Sequence, residues 1–161
     1  MERKKSIRVG LIGCGFYAQN HLNAWKHMKV RGVELVSVCD LDQQKAERAA
    51  TSFGTNFYTN ADKMLASEEL DLIDIVTQAE SHKQLSFAVL EKGLAAIVQK
   101  PFAPTLPDCI EIVDKAKSCA AWLAVHENFR FSHVMRCVKN IILEGEIGDL
   151  NWGRLTFRTG F

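Results

Sequence analysis

Residues 7–18 read IRVGLIGCGFYA. An apolar run, Ile7 to Ile12, leads straight into Gly13-Cys14-Gly15-Phe16-Tyr17-Ala18. A segment of helical periodicity follows, with Ala18, Leu22, Trp25 and Met28 on one face. Strand, glycine turn and helix in this order match the G-x-G-x-x-A fingerprint of dinucleotide-binding folds. Gly13 allows the tight turn. Gly15 has no side chain, so a pyrophosphate can approach the backbone, and Ala18 is small enough for the helix to pack closely on the strand. The N–H groups at the helix start then face the phosphates. Cys14, Phe16 and Tyr17, inside the turn, are expected beside the cofactor. A helix N-terminus can also lower the thiol pKa of Cys14, although a small filler is its plainer role.

Outward from this turn, the next apolar run is Val33 to Cys39, and it ends in Asp40. A carboxylate there can accept hydrogen bonds from both hydroxyls of an adenosine ribose and would repel a 2′-phosphate, so NAD is favoured over NADP. Asp42 either shares this part or caps the following helix. Further strand-like runs are Leu72 to Val76, Leu94 to Val98 and Ala121 to Val125. Helical stripes lie between and after them: Leu85 to Val89, stopped by Gly93; Cys109, Ile112 and Ala116; and Val134, Val138, Ile141 and Ile142. A short strand near Phe57 and Tyr58, with a small helix after Asn60, is also expected. This alternation predicts an α/β fold with a doubly wound parallel sheet of the Rossmann type. The apolar character of the runs predicts strands covered on both faces. An S-adenosylmethionine-dependent methyltransferase also uses a glycine turn and an acid after the second strand, and is the rival class at this point.

The chain has 161 residues, the size of one ordinary domain, with 47% hydrophobic and 24% charged residues. This composition excludes a disordered chain. The net charge of +1 leaves no broad basic field for nucleic acid or an anionic membrane. No apolar stretch is long enough to span a bilayer, and glycines break the run that follows the basic start, so a strand is a better reading than a signal peptide. Arg3, Lys4 and Lys5 read as a solvated tail. Five cysteines without C-x-x-C spacing suggest neither a disulfide framework nor a zinc site. Reduced thiols and a cytoplasmic location are expected. The five histidines have no ligand spacing, so no metal is expected. His21 reads as a packing or capping residue, and Trp25, Trp122 and Trp152 as core or interface aromatics.

In a doubly wound sheet, ligands sit beyond the carboxyl ends of the strands. There the sequence places Thr77, Gln78, Gln99, Lys100 and Pro101, with His82 one turn into the next helix. After Gly145-Glu-Ile-Gly148, the stretch Leu150 to Arg158 alternates polar and apolar residues, predicting a half-exposed strand. Residues 1–145 are therefore expected to form the dinucleotide-binding domain. Residues 146–161 would begin a truncated second domain, whose lone strand has an edge that invites a homo-oligomer or disorder.

The stretches VGLIGCGFYAQNH, LVSVCDLD, DLIDIVTQAESH, VLEKGLAAIVQKPFAPT, HENFRF and GEIGDL, in this order, carry a resemblance. From Ile7 to about Arg158 the sequence resembles the glucose-fructose oxidoreductase, inositol dehydrogenase and MocA family of NAD(P)-dependent oxidoreductases. The resemblance implies a pyrophosphate turn at Gly13, Gly15 and Ala18 and a ribose-binding acid at Asp40. It implies an active-site lysine at Lys100, a cofactor-side histidine at His82 and an arginine, Arg130, bordering the active-site region, preceded by Asn128. The sequence departs from the family pattern at Gln78, where proline is usual, at Leu94-Ala95, where a polar pair is usual, and at Gln99, where glutamate is usual. The family's second half, which forms much of the substrate pocket and commonly supplies a proton-handling Asp and His, has no counterpart here.

The implied activity is hydride transfer between NAD and a hydroxyl carbon of a sugar, cyclitol or related polyol. A lysine's ordinary pKa of ~10.4 keeps it protonated at neutral pH, so Lys100 reads as an electrostatic aid rather than a base. The alternatives are an NAD-binding module without catalysis and the methyltransferase, against which the KP and HENFRF stretches speak.

Overall fold

The strands form where apolar runs can be covered on both sides. In the computed structural model, which describes residues 6–156 and 158, they are β1 (Ile7–Ile12), β2 (Val33–Cys39), β3 (Asn56–Tyr58), β4 (Leu72–Ile75), β5 (Ala95–Gln99) and β6 (Leu123–His126). The described residues form two compact units, one ending at His126 and the other beginning at Glu127. All six strands lie in one parallel sheet of order β3-β2-β1-β4-β5-β6. The order reverses between β1 and β4, and a crevice for ligand opens at such a switch point. The tail residues Arg3 to Lys5 lie outside the described residues.

The connecting helices are α1 (Ala18–Met28), α2 (Gln43–Phe53), α3 (Ala61–Ser67), α4 (Ala79–Leu90) and α5 (Leu106–Ser118). One core joins Ala18 and Leu22 of α1 and Ala49 and Ala50 of α2 to Leu11 and Val38 of the sheet. A second joins Met64 of α3, Leu90 of α4 and Ile112 of α5 to Ile73, Ile75 and Val98. Two cores built on one sheet confirm the doubly wound α/β reading. Lys83 of α4 bridges Asp108 (2.9 Å) and Glu111 (2.7 Å) of α5 across the surface.

The second unit carries a 3-10 turn, Asn128–Phe131, and α6 (His133–Leu143), neither of which has a buried residue. Among the described residues, 150–156 enter no ladder, so the strand expected over Leu150 to Arg158 is absent there. A strand needs a hydrogen-bonded neighbour, and alternation alone does not supply one. Trp122 and Trp152 are exposed rather than core aromatics. No described helix is long and apolar enough to cross a membrane, and no described group of His, Cys, Asp or Glu could hold a metal.

Candidate functional site

The site starts where β1 ends. Gly13 has φ 98°, and a Cβ there would lie 2.5 Å from the carbonyl oxygen of Val76, in the turn after β4. Only glycine lets the two turns flanking the switch point approach so closely. Gly15 differs. A Cβ there would meet no protein atom within 4 Å, so the space in front of it is open to a ligand. Ala18 is buried under the turn, as its size suggested. Phe16 is almost fully exposed and Tyr17 partly so.

Side-chain caps separate the helices into two groups. Asp42 caps α2, Asn60 caps α3, Thr105 caps α5 and Ser132 caps α6. The starts of α1 at Tyr17 and α4 at Gln78 have no side-chain cap. These two helices follow the strands on either side of the switch point. Their first N–H groups lack the usual side-chain acceptor and carry the positive end of the helix dipole.

Asp40 is fixed beside the glycine turn. Its Oδ2 accepts the Cys14 N–H at 2.7 Å and its Oδ1 accepts the Asp42 N–H at 2.8 Å. Both contacts hold the carboxylate at the end of β2. Cys14 is buried, and burial, reinforced by the charge of Asp40, pushes its thiol up to about 12. The activated thiol considered for a helix start is therefore corrected to an inert filler. The Cys39 thiol is pushed up to about 11 by burial and then by Asp40.

Across the cleft mouth, Lys100 extends its ammonium to 5.8 Å from the centre of the Tyr17 ring. The Lys100–Pro101 peptide is cis. Thr77 packs against Gly13 and accepts the Ser81 hydroxyl at 2.7 Å. His82 is fully buried, with Nε2 3.1 Å from the Thr77 carbonyl and Nδ1 3.1 and 3.2 Å from the Pro101 and Phe102 carbonyls. It ties the turn after β4 to the turn after β5. Its ring nitrogens are engaged by backbone carbonyls on both sides. Arg130 lies on the 3-10 turn of the second unit and is exposed.

A buried cluster that the sequence did not reveal lies behind Lys100. Asp74 Oδ2 accepts His21 Nδ1–H at 2.8 Å and the Trp25 indole N–H at 2.7 Å. His21 Nε2 is 2.8 Å from Gln99 Nε2, which is also 3.1 Å from His126 Nδ1, and Gln99 Oε1 accepts the Lys100 N–H at 2.7 Å. His21 is thus more than a packing or capping residue. The readable signal was Asp74, a carboxylate inside an apolar strand, which must find donors when buried. Concavities of about 440 and 550 Å³ lie at the opposite, amino ends of the strands, lined by Ile7, Leu72 and Trp122 and by Arg8, Glu68 and Lys92.

Similar proteins follow the same lines. D-apiose dehydrogenase of Paraburkholderia graminis is 41% identical over 158 residues, which is 98% of this chain and 42% of that protein. An oxidoreductase from Agrobacterium radiobacter, crystallised in complex with NAD+, L-tartaric acid and magnesium, superposes with TM-score 0.86 at 34% identity, covering 90% of this chain and 42% of that one. Myo-inositol 2-dehydrogenase from Lactobacillus plantarum superposes with TM-score 0.83 at 28% identity, covering 89% and 43%. The chain spans less than half the length of the curated relatives it matches. Residues 7–127 match the family described as "Oxidoreductase family, NAD-binding Rossmann fold". With its 3-2-1-4-5-6 sheet and its glycine turn at the switch point, the chain belongs to this family of NAD-binding oxidoreductases.

Proposed function

We propose that this chain is the NAD-binding part of a dehydrogenase that moves hydride between a nicotinamide cofactor and a hydroxyl-bearing carbon of a sugar, cyclitol or related polyol. The carrying observation is the arrangement of the glycine turn and Asp40 at the switch point. Asp40 is held there by the Cys14 N–H, beside the open space of Gly15 and the uncapped start of α1. These residues fit a dinucleotide: donors and a helix dipole for the diphosphate, an acceptor for ribose hydroxyls, and no Cβ in the way. NAD, when bound, supplies the hydride acceptor. Gly13, Cys14, Gly15, Phe16, Tyr17 and Ala18 form the diphosphate side. Asp40 takes the ribose hydroxyls and repels the 2′-phosphate of NADP. Thr77, Gln78 and Pro101 border the other end, where Lys100 presents a cation to the substrate hydroxyl. Arg130 is carried as a further substrate-side candidate.

The similar proteins named for D-apiose and myo-inositol support the substrate class. In the same reading, residues 1–145 form the cofactor domain and residues 146–161 open a substrate domain. A cytoplasmic location suits the five free thiols.

The first test is titration with NADH and, separately, NADPH, followed by tryptophan-to-nicotinamide energy transfer. Saturable NADH binding is expected, with NADPH at least about tenfold weaker because its 2′-phosphate meets Asp40. Asp40→Ala should narrow that gap. Failure of a folded protein to bind either would overturn the reading. Polyol-dependent reduction of NAD would support hydride transfer, whereas binding without turnover would favour a binding module.

A further inference from the structure

We propose that Gln99 sets the tautomers of the paired His21 and His126 rings and, with the same amide, positions the backbone of Lys100. Gln99 is 5% exposed and all its polar atoms are engaged. The Lys100 N–H can only donate, so the amide oxygen must face it, and the amide orientation is settled by the protein. The NH₂ group then faces His21 Nε2 and His126 Nδ1, and donates one hydrogen to each. Both ring nitrogens must present lone pairs. His21 therefore carries its hydrogen on Nδ1, where it donates to Asp74, and His126 carries its own on Nε2.

Among the described contacts, three bear on these rings. Asp74 stands on β4, Tyr17 meets the His21 ring edge-on at 5.7 Å, and the two imidazoles lie 4.4 Å apart. Within this set, the His21 ring is held between the Asp74 carboxylate at Nδ1 and the Gln99 amide at Nε2, while Asp74 Oδ1 is buried with no hydrogen-bond partner. The Gln99 N–H also occupies the His21 lone pair, which prevents the Asp74–His21 pair from acting as a base toward the cleft. A glutamate at this position would have no hydrogen to give. One oxygen would still accept from Lys100, and the other would face two lone pairs until a ring took up a proton. These bonds run between protein groups, and His21, Asp74 and His126 also line a concavity of about 300 Å³.

The test is ¹⁵N NMR of the histidine side chains in the full chain at neutral pH, with signals assigned by replacing the other histidines singly. The expected result is the Nδ1–H tautomer at His21 and the Nε2–H tautomer at His126. In Gln99→Glu, at least one ring should show the imidazolium pattern. An imidazolium or Nε2–H form at His21 in the unsubstituted protein would overturn the assignment, as would two neutral rings in Gln99→Glu. Should that variant fail to fold, the tautomers of the unsubstituted protein still decide. Gln99→Met keeps the length and lacks the amide. It should lose hydrogen-exchange protection at the Lys100 N–H, and retained protection there would refute the positioning part.

Discussion

Single residues divide between those that serve the fold and those that leave room for a ligand. Gly13→Ala drives a Cβ into the Val76 carbonyl at φ 98°, so strain alone should cost about 1–3 kcal/mol, read by urea unfolding. Gly15→Ala meets no protein atom, so its stability should stay within about 0.5 kcal/mol while NADH affinity drops at least about tenfold. Equal damage to stability by both substitutions would contradict this division. Cys14 gives a pH prediction. Its thiol, near 12 in the fold against an ordinary 9.0, stays protonated while the unfolded chain ionises. The stability it supports is complete below about pH 9 and is lost as pH rises toward 12. Melting temperature should therefore fall less steeply on the alkaline side in Cys14→Ala than in the unsubstituted protein. The glycine turn and Asp40 were legible because one short strand–turn–helix and the next strand end contain them. The Asp74, His21, Gln99 and His126 cluster was not, because its members come from three strands and a helix that only the fold brings together.

Among the elements, the strands were legible from apolar runs, with shifts of one or two residues at the start of β5 and β6. Helix α2 left little trace. Its buried stripe is Ala46, Ala49 and Ala50, residues too small to give a strong periodic signal, and only the Asp42 cap announced it. His82 shows what one buried side chain does between elements. Three carbonyls from two turns converge on its ring, so it fixes where the residues after β4 and β5 stand. His82→Phe retains much of the ring volume and removes the ring N–H available to those carbonyls. Urea unfolding should show a loss of about 1–3 kcal/mol. Loss of turnover with stability unchanged would instead place His82 at the reacting centre.

At the scale of the whole molecule, the apolar interior ends with the sheet. Strands β1 and β4 carry side chains at 0% exposure, such as Val9, Leu11, Ile73 and Ile75, whereas α6 buries none. Amide hydrogen exchange should therefore show its highest protection in β1 and β4, and exchange in α6 faster by at least about tenfold. Equal protection across His126 would refute this gradient. His126 has a second property. It is the last residue of the first unit and also a hydrogen-bond partner of Gln99, which holds the Lys100 peptide. The chain thus leaves the sheet from inside the polar cluster. As a linkage, the chain is anchored at its exit from the sheet, two hydrogen bonds from the backbone of Lys100.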